Sequence, residues 1–202
     1  MIRLLLIRHG LTRWNEEKRY LGNTDIPLNE IGKQQAVVLA QELNEEHFDQ
    51  IYTSDLQRAF ETAASIKANR ELPLIPDSRL RELNFGIFEG LTFSEAKTKY
   101  PDMLTAWLEN YDQPPDGGES FSSFSERVGS FLDDLKMIEG PKTFLIVCHG
   151  GTLREIVRIL LGLSREAHWS FRFGSASLSE VHINGGCPTI VRINDAHHLN
   201  EV

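Results

Sequence analysis

Two histidines in this sequence each follow a short apolar run and precede a glycine. Residues 4–7 lead directly into the triplet Arg-His-Gly at 8–10, and residues 143–148 lead into His149 and Gly150. An unbroken apolar run of this length is typical of a strand buried on both faces, and open parallel sheets bind ligands at the carboxyl ends of their strands. We therefore expect both histidines at one edge of a parallel sheet.

The residue types at this edge favour an anionic ligand. The sequence after Gly150 has the apolar spacing of an amphipathic helix, and free backbone N–H groups at a helix start attract anions. The planar guanidinium of Arg8 can donate two parallel hydrogen bonds to two oxygens of one phosphate group. An imidazole such as that of His9 can act as a neutral nucleophile near pH 7. The pattern therefore predicts a phosphate-like group held between these residues.

Arg58 is a further candidate for the same site. Ser54 and Gln57 have the spacing of a capping box, which predicts a helix that begins near Asp55. Arg58 then lies in the first helical turn, where a cation opposes the helix dipole unless an anion lies nearby. The residue pattern alone leaves two interpretations open, a solvated surface arginine or a second anion-binding group.

Glu82 is the candidate for proton transfer. It lies among leucines, at positions 80 and 83, so we expect a partly apolar environment that favours the neutral, protonated carboxyl. Such a carboxyl is suited to general acid catalysis. Glu89 is the alternative acid, although we expect it instead to fix the turn that contains Gly86 and Gly90.

The motif Arg-His-Gly-x-Thr-x-x-Asn at residues 8–15, together with His-Gly at 149–150, resembles the signature of the histidine phosphatase superfamily, the phosphoglycerate-mutase-like proteins. Two further stretches are similar to segments of that family: Ser-x-Leu-x-Arg-Ala at 54–59 and Leu-x-Glu-x-x-x-Gly-x-x-Glu-Gly at 80–90. The resemblance extends over nearly the whole chain.

The resemblance implies roles for individual residues. His9 would be the nucleophile that forms a phosphohistidine, and Glu82 would protonate the leaving oxygen and then take a proton from the attacking water. Arg8, Arg58 and His149 would stabilise the transferring phosphoryl group. The implied partner is a small phosphomonoester substrate, and neither a metal ion nor another cofactor is implied. Three residues would add substrate contacts: Asn15, Gly22 and Gly150, the last through its amide.

Length and patterning predict one α/β domain over residues 1–202, with a mostly parallel central sheet flanked by helices on both faces. Residues from about 85 to 120 would form a small helical lid. Its helix would start at a capping box of Thr92 and Glu95 and be interrupted at Pro101. A hairpin signal at 184–186 joins two strands near the C terminus.

Composition argues against several classes of partner. The net charge is −8 with no basic stretch, which disfavours nucleic acid, and no apolar run is long enough for a membrane span or a secretory signal.

Cys148 and Cys187 have neither disulfide nor metal-ligand spacing, which indicates a reducing, cytoplasmic location. The adjacent His197 and His198 lack a spaced partner, so we expect a solvated terminus and no metal site there. A homodimer remains open.

Three functions fit the resemblance: a phosphomonoesterase, a phosphoglycerate mutase, and a catalytically silent protein that binds a phosphorylated ligand. The lid is shorter than in the cofactor-dependent mutases, and its cations Lys97 and Lys99 are outnumbered by seven acidic residues, which favours hydrolysis. Residues 19–28 and the compact lid look most like α-ribazole-5′-phosphate phosphatases of cobalamin biosynthesis, a likeness shared with broad-specificity phosphatases. We expect most lid aromatics to be core, but four are candidates for stacking on a substrate ring: Phe88, Phe93, Tyr100 and Trp107.

Overall fold

The computed structural model describes residues 1–68 and 70–200. Its strands are β1 (Ile2–Arg8), β2 (Gln50–Thr53), β3 (Leu74–Pro76), β4 (Lys142–Cys148), β5 (Leu178–Asn184) and β6 (Cys187–Asp195). Its α-helices are α1 (Arg13–Glu16), α2 (Glu30–Glu42), α3 (Gln57–Lys67), α4 (Phe93–Lys99), α5 (Pro101–Glu109), α6 (Phe121–Lys136) and α7 (Gly150–Leu160). Short 3₁₀ helices cover Ser78–Leu80, Gly86–Phe88, Arg165–Ser170 and His197–Leu199.

The strands form one sheet in the order β3-β2-β4-β1-β5-β6. The first four of these are parallel to their neighbours, whereas β5 lies antiparallel to β1 and pairs with β6 as a hairpin. The hairpin turn contains Gly185 and Gly186, whose φ angles of 55° and 83° are conformations that glycine adopts without strain. The mostly parallel sheet predicted from the sequence is confirmed, with this hairpin as its antiparallel edge.

Alternate residues of the central strand β1 face opposite layers of helices. Leu4 and Leu6 belong to an apolar cluster with α6 and α7, and Leu5 and Ile7 belong to a second cluster with α2 and α3. All four side chains are at most 1% exposed. Both faces of the sheet are therefore covered, as predicted, which explains why β1 has a continuous apolar sequence and no alternation.

Residues 85–120, here called the lid segment, contain two short helices. The helix α4 begins at the predicted capping box, in which Thr92 accepts from Glu95 N–H, and α5 begins at Pro101. Leu104 and Trp107 of α5 are buried in the same apolar cluster as α6 and α7. The lid segment therefore shares its core with one face of the sheet.

The helix predicted to begin near Asp55 begins instead at Gln57. Leu56 is its N-cap residue and provides no side-chain capping bond, so the predicted capping box of Ser54 and Gln57 is wrong. The Ser54 hydroxyl lies 2.8 Å from Nε2 of His149, on a distant part of the chain. The Ser54 hydroxyl, which the capping-box spacing assigns to the start of α3, thus binds a residue that is distant in the sequence.

Within the described residues, no helix is both long and apolar enough to cross a membrane. The longest of these helices, α6, has 16 residues, fewer than the roughly 20 that a bilayer requires.

A close approach of two backbones holds the start of α2 against the chain that leaves β1. A Cβ atom added to Gly32 would lie 2.0 Å from the carbonyl oxygen of Leu11, which is backbone and cannot swing aside. We expect Gly32→Ala to lower the free energy of unfolding by about 2 kcal/mol, the usual scale of steric overpacking.

Gly129→Ala is the matched control for this prediction. The added Cβ would meet only Ile159 Cδ1 at 3.9 Å, and alanine is favoured over glycine inside a helix by about 1 kcal/mol. Urea unfolding of both variants gives the two free energies. Equal effects at Gly32 and Gly129 would show that the backbones are not in tight contact.

Candidate active site

The parallel pairing of β1 with β4 brings the two histidine motifs together. Arg8 lies opposite Cys148 in the strand register, and the His9 N–H donates to the Cys148 carbonyl oxygen at 2.9 Å. The centroids of the His9 and His149 rings are 5.1 Å apart, and both residues are buried. The two histidines that the sequence placed at strand ends therefore lie side by side at one edge of the sheet.

His9 is held as a neutral imidazole with its lone pair on Nε2. Its Nδ1 lies 2.7 Å from the Gly10 carbonyl oxygen, which can only accept, so Nδ1 carries the proton and donates it. Burial, together with the Arg58 and Arg8 cations, lowers the pKa of His9 well below 6.5. Nε2 is then an unprotonated nitrogen beside two guanidinium groups, which is the state that a nucleophile needs.

His149 orients Arg58. The Arg58 Nε–H donates to His149 Nδ1 at 3.2 Å, so the ring proton is on Nε2, which donates to Ser54 Oγ at 2.8 Å. Burial first and the Arg58 cation second lower the pKa of His149 well below 6.5. His149 is therefore a neutral link between a buried hydroxyl and a buried guanidinium.

Arg58 is fully buried, so it is not the solvated surface arginine that the sequence left open. Its Nη1 donates to the Thr24 carbonyl oxygen at 3.0 Å and its Nη2 to the Gly22 carbonyl oxygen at 2.6 Å. With the bond to His149, three of its five N–H donors are used, and the other two have no partner among the described residues. Burial lowers the pKa of Arg58 to about 10, so the side chain is still a cation at neutral pH.

Arg8 supplies the second cation beside His9. Its Nη1 donates to the Phe173 carbonyl oxygen at 2.7 Å. Its Nε is buried and has no hydrogen-bond partner in the described part of the chain. Burial lowers the pKa of Arg8, and the negative charge of Glu82 opposes that effect. A buried donor without an acceptor costs about 1–3 kcal/mol, a cost that a bound anion would remove.

Two backbone N–H groups fix the Glu82 carboxylate at the start of α7. Oε2 accepts from the Gly151 N–H at 2.8 Å, and Oε1 accepts from the Leu83 N–H at 3.0 Å. A Cβ added at Gly151 would lie 2.3 Å from Glu82 Oε1, so any side chain at this position would displace the carboxylate. Arg127 adds support by donating to the Glu82 carbonyl oxygen at 3.0 Å. The carboxylate is therefore anchored from both sides of the site.

Glu89, the alternative acid, is occupied as a clamp between loops. Its carboxylate accepts from the N–H groups of Asn23 at 2.8 Å, Thr24 at 2.6 Å and Phe85 at 3.1 Å. It therefore braces the loop whose carbonyl groups hold Arg58, in addition to the turn that the sequence assigned to it. These contacts favour Glu82 over Glu89 as the proton donor.

The structure places the three expected substrate-binding residues around this edge with different contacts. Asn15 Oδ1 accepts from the Thr12 hydroxyl at 2.9 Å and completes the cap of α1. Gly22 contributes its carbonyl oxygen to Arg58, and a Cβ at this position would lie 2.2 Å from Glu89 Oε1. Gly150 opens α7, so its N–H has no acceptor within the helix. Direct binding of substrate by these residues remains a proposal.

Sequence reasoning missed several side chains that position the site. Thr62 Oγ accepts from the Gly10 N–H at 3.1 Å and donates to the Arg58 carbonyl oxygen at 2.8 Å, so it ties α3 to the end of β1. Ser54 was assigned to a helix cap. The role of Arg127 could not be predicted, because charged residues are common on the solvent-facing side of an amphipathic helix.

The described residues contain no group of three or more histidine, cysteine or carboxylate side chains arranged to hold a metal ion. Near the C terminus, His197 Nδ1 lies 2.9 Å from Asp195 Oδ1. His198 Nε2 lies 3.0 Å from the Ala176 carbonyl oxygen, so the two adjacent histidines contact different parts of the protein.

Comparison with known proteins assigns the family. A model of the histidine phosphatase superfamily (branch 1) matches residues 4–196. Phosphoserine phosphatase 1 of Hydrogenobacter thermophilus is 36% identical over 100% of this chain and 96% of that protein. Adenosylcobalamin/α-ribazole phosphatase of Escherichia coli is 32% identical over 96% of each chain. The crystal structure of α-ribazole phosphatase from Shigella flexneri matches with a TM-score of 0.90, 32% identity and 96% coverage of both chains. The chain therefore belongs to the histidine phosphatase superfamily.

The two neutral histidines predict how stability depends on pH. In the folded state the pKa values of His9 and His149 lie well below 6.5, whereas an unfolded histidine titrates near 6.5. Above that pH neither state binds the extra proton, and stability is unaffected. As the pH falls below about 6.5 the unfolded chain takes up protons that the folded site refuses. We expect each histidine to lower the free energy of unfolding by up to about 1.4 kcal/mol per pH unit.

Urea unfolding between pH 5 and 7 measures this slope for the wild type and for His9→Gln. Below pH 6.5, the free energy of unfolding of the variant should fall less steeply with decreasing pH than that of the wild type. The difference should be up to about 1.4 kcal/mol per pH unit, the contribution of one proton. His47→Gln is the matched control, since the His47 side chain is 83% exposed. A His9→Gln slope equal to that of the wild type would mean that His9 takes up a proton in the folded site.

Proposed function

We propose that this chain hydrolyses a small phosphomonoester through a phosphohistidine on His9. The observation that carries the proposal is the 2.7 Å hydrogen bond between His9 Nδ1 and the Gly10 carbonyl oxygen, which leaves the lone pair on Nε2. Arg58 and Arg8 lie close enough to His9 to lower its pKa, so they can hold an anion beside that nitrogen. A neutral nucleophile next to two cations is suited to attack on a phosphate ester.

Fixed donors would hold the phosphate. Arg58 has two unused N–H groups, Arg8 has a buried Nε–H, and the Gly150 N–H lies at the start of α7. Because these donors are already in place, they need not reorganise as charge spreads over the oxygens of the transferring group. Two guanidinium groups also balance the two charges of a phosphate dianion.

Glu82 would donate a proton in the first step of the reaction and accept one in the second. In the first step His9 Nε2 forms a bond to phosphorus, the ester P–O bond breaks, and the leaving oxygen takes the carboxyl proton of Glu82. In the second step water attacks phosphorus and gives a proton to the Glu82 carboxylate, and the N–P bond breaks to release inorganic phosphate. The Gly151 and Leu83 N–H groups keep the carboxyl in one position between the steps.

Hydrolysis is favoured over return of the phosphoryl group to the substrate. Lys97 and Lys99 are exposed, and Lys99 packs over the Tyr100 ring at 5.1 Å. The lid segment, which is described throughout, therefore offers no buried lysine or arginine for a second phosphate. The relatives reported above also carry phosphatase names.

The case for α-ribazole 5′-phosphate as substrate is weakened by the lid segment. Phe88 and Trp107 are 0% and 3% exposed, so the suggestion that they stack on a substrate ring is wrong. They fill the space between the lid segment and the sheet, where close packing leaves no room for a ligand. The cavity beside Glu82 measures about 70 Å³, far below the ~300–1,000 Å³ of pockets for larger ligands.

Two arginines favour a second candidate, a small carboxylated ester such as O-phosphoserine. Arg154 and Arg172 lie close enough to Arg8 to lower its pKa. Arg154 also lines the cavity beside Glu82, and within the described residues it donates only one hydrogen bond, from Nε to the Phe171 carbonyl oxygen at 2.9 Å. Its two Nη groups are therefore available to bind a carboxylate on the leaving-group side.

The proposal predicts a covalent intermediate that depends on His9. After reaction with a ³²P-labelled ester, we expect wild-type protein to carry acid-labile, alkali-stable label, and His9→Ala to carry none. Turnover by His9→Ala should fall by about 10³-fold or more, because loss of a nucleophile removes the whole covalent route. His47→Ala, which removes a surface histidine, should behave as the wild type. Label on the His9→Ala protein, or unchanged turnover, would overturn the assignment.

Substrate preference is tested by kcat/KM on three esters: O-phospho-L-serine, α-ribazole 5′-phosphate and 3-phosphoglycerate. We expect O-phosphoserine to be hydrolysed about tenfold or more better than α-ribazole 5′-phosphate, since it can pair with Arg154. Arg154→Met should remove this advantage and leave p-nitrophenyl phosphate unaffected. The opposite order would restore the α-ribazole hypothesis, and efficient mutase turnover primed with bisphosphoglycerate would contradict hydrolysis.

A further inference from the structure

A buried histidine outside the proposed phosphate site lines the same small cavity as Glu82. His168 is 2% exposed and shares this cavity with Arg154, Gly151 and Trp169. Since Glu82 would protonate the leaving oxygen, the atoms attached to that oxygen must lie next to Glu82. The cavity is therefore where the substituents of the leaving group would be recognised.

Glu155 determines the proton position on the His168 ring. His168 Nδ1 lies 2.9 Å from Glu155 Oε2, and the fully buried Glu155 is also bonded by Arg158 Nη2 at 2.7 Å. Burial alone would raise the pKa of Glu155, but hydrogen bonds from His168 and Arg158 outweigh it and lower the pKa to about 2. An ionised carboxylate only accepts hydrogen bonds, so His168 Nδ1 carries a proton and donates it.

The second ring nitrogen of His168 is left as an acceptor. With the ring proton on Nδ1, the lone pair of the neutral imidazole lies on Nε2. The Trp169 ring packs edge-to-face on His168 at 4.9 Å and restrains its orientation. The contact of the His168 ring with Glu155 is made through Nδ1. The other ring nitrogen, Nε2, has no hydrogen-bond partner among residues 1–68 and 70–200.

We infer that His168 Nε2 accepts a hydrogen bond from an ammonium or hydroxyl group of the leaving group, while Arg154 binds its carboxylate. The inference rests on the phosphatase function proposed above and adds the residue that selects among small carboxylated esters. A leaving group without such a donor would cover Nε2 and displace water from it while offering no hydrogen bond in return. Sites of this kind reject the analogue that lacks the donor.

Three esters that differ at one carbon test this role. O-Phospho-L-serine carries an ammonium group there, 3-phosphoglycerate a hydroxyl and 3-phosphooxypropanoate only hydrogen. We expect the wild-type protein to hydrolyse the first two with a kcat/KM at least about tenfold above that of the third, the scale of one unsatisfied buried acceptor. This comparison needs no variant, so it does not depend on whether a substituted protein folds.

His168→Asn is the informative variant. The asparagine amide nitrogen can take the place of Nδ1 and keep the bond to Glu155, whereas nothing replaces Nε2. We expect the preference for the donor-bearing esters to disappear, because kcat/KM for O-phosphoserine and 3-phosphoglycerate falls by about tenfold or more, whereas kcat/KM for 3-phosphooxypropanoate and p-nitrophenyl phosphate, which cannot donate to the acceptor, does not fall. His182→Asn is the matched control, since His182 is also held by a glutamate, Glu180 at 2.7 Å, but lies on β5 away from the cavity.

The outcomes separate the inference from the proposed function. No preference in the wild type, or a preference that survives in His168→Asn, overturns the role of His168 while hydrolysis stands. An equal fall on all esters, p-nitrophenyl phosphate included, would show that His168 only supports the fold and also overturns it. Failure of the wild type to hydrolyse any phosphomonoester would refute the phosphatase function itself.

Discussion

The site depends on guanidinium charge that is buried among neutral acceptors. Within the described part of the chain, Arg58 donates only to two carbonyl oxygens and to a neutral imidazole, and Arg8 donates to one carbonyl oxygen and has a buried Nε–H without a partner. Moving a cation out of water costs several kcal/mol, which neutral acceptors offset only in part. Binding an anion is therefore favoured before any chemistry occurs. Burial, together with the same positive charge, lowers the pKa values of His9 and His149 well below 6.5.

Holding this charge in place requires contacts between segments that are far apart in sequence. Ser54 holds His149, and His149 holds Arg58. Arg58 in turn holds the loop at residues 22–24, which Glu89 braces from the other side. Hydrogen bonds weaken as their distances and angles depart from the preferred values, so these bonds restrain one another. A small displacement of the loop would therefore change the direction of the two free Arg58 donors.

The placement of His9 and His149 at neighbouring strand ends could be predicted because its signals are local in the sequence. The apolar run before His9 predicts a buried strand, and the glycine after each histidine predicts a backbone turn that a ligand can approach. The positioning contacts could not be predicted in the same way. Ser54 has the local pattern of a helix cap and is used 95 residues away, and Trp107 has the composition of a ligand-binding aromatic and fills the core. Tertiary packing decides such cases, and no short sequence window contains it.

The leaving-group side of the site has a different origin from the phosphate side. His9 and His149 follow directly after the central strands β1 and β4, whereas Arg154 and His168 come from α7 and the 3₁₀ helix after it. Their chemistry is set by partners that do not touch the phosphate, namely the Phe171 carbonyl oxygen for Arg154 and Glu155 for His168. Changes at these positions can alter which ester fits without disturbing His9. The family motif therefore predicts the reaction, and the choice of substrate must be read from the residues that surround Glu82 in the folded chain.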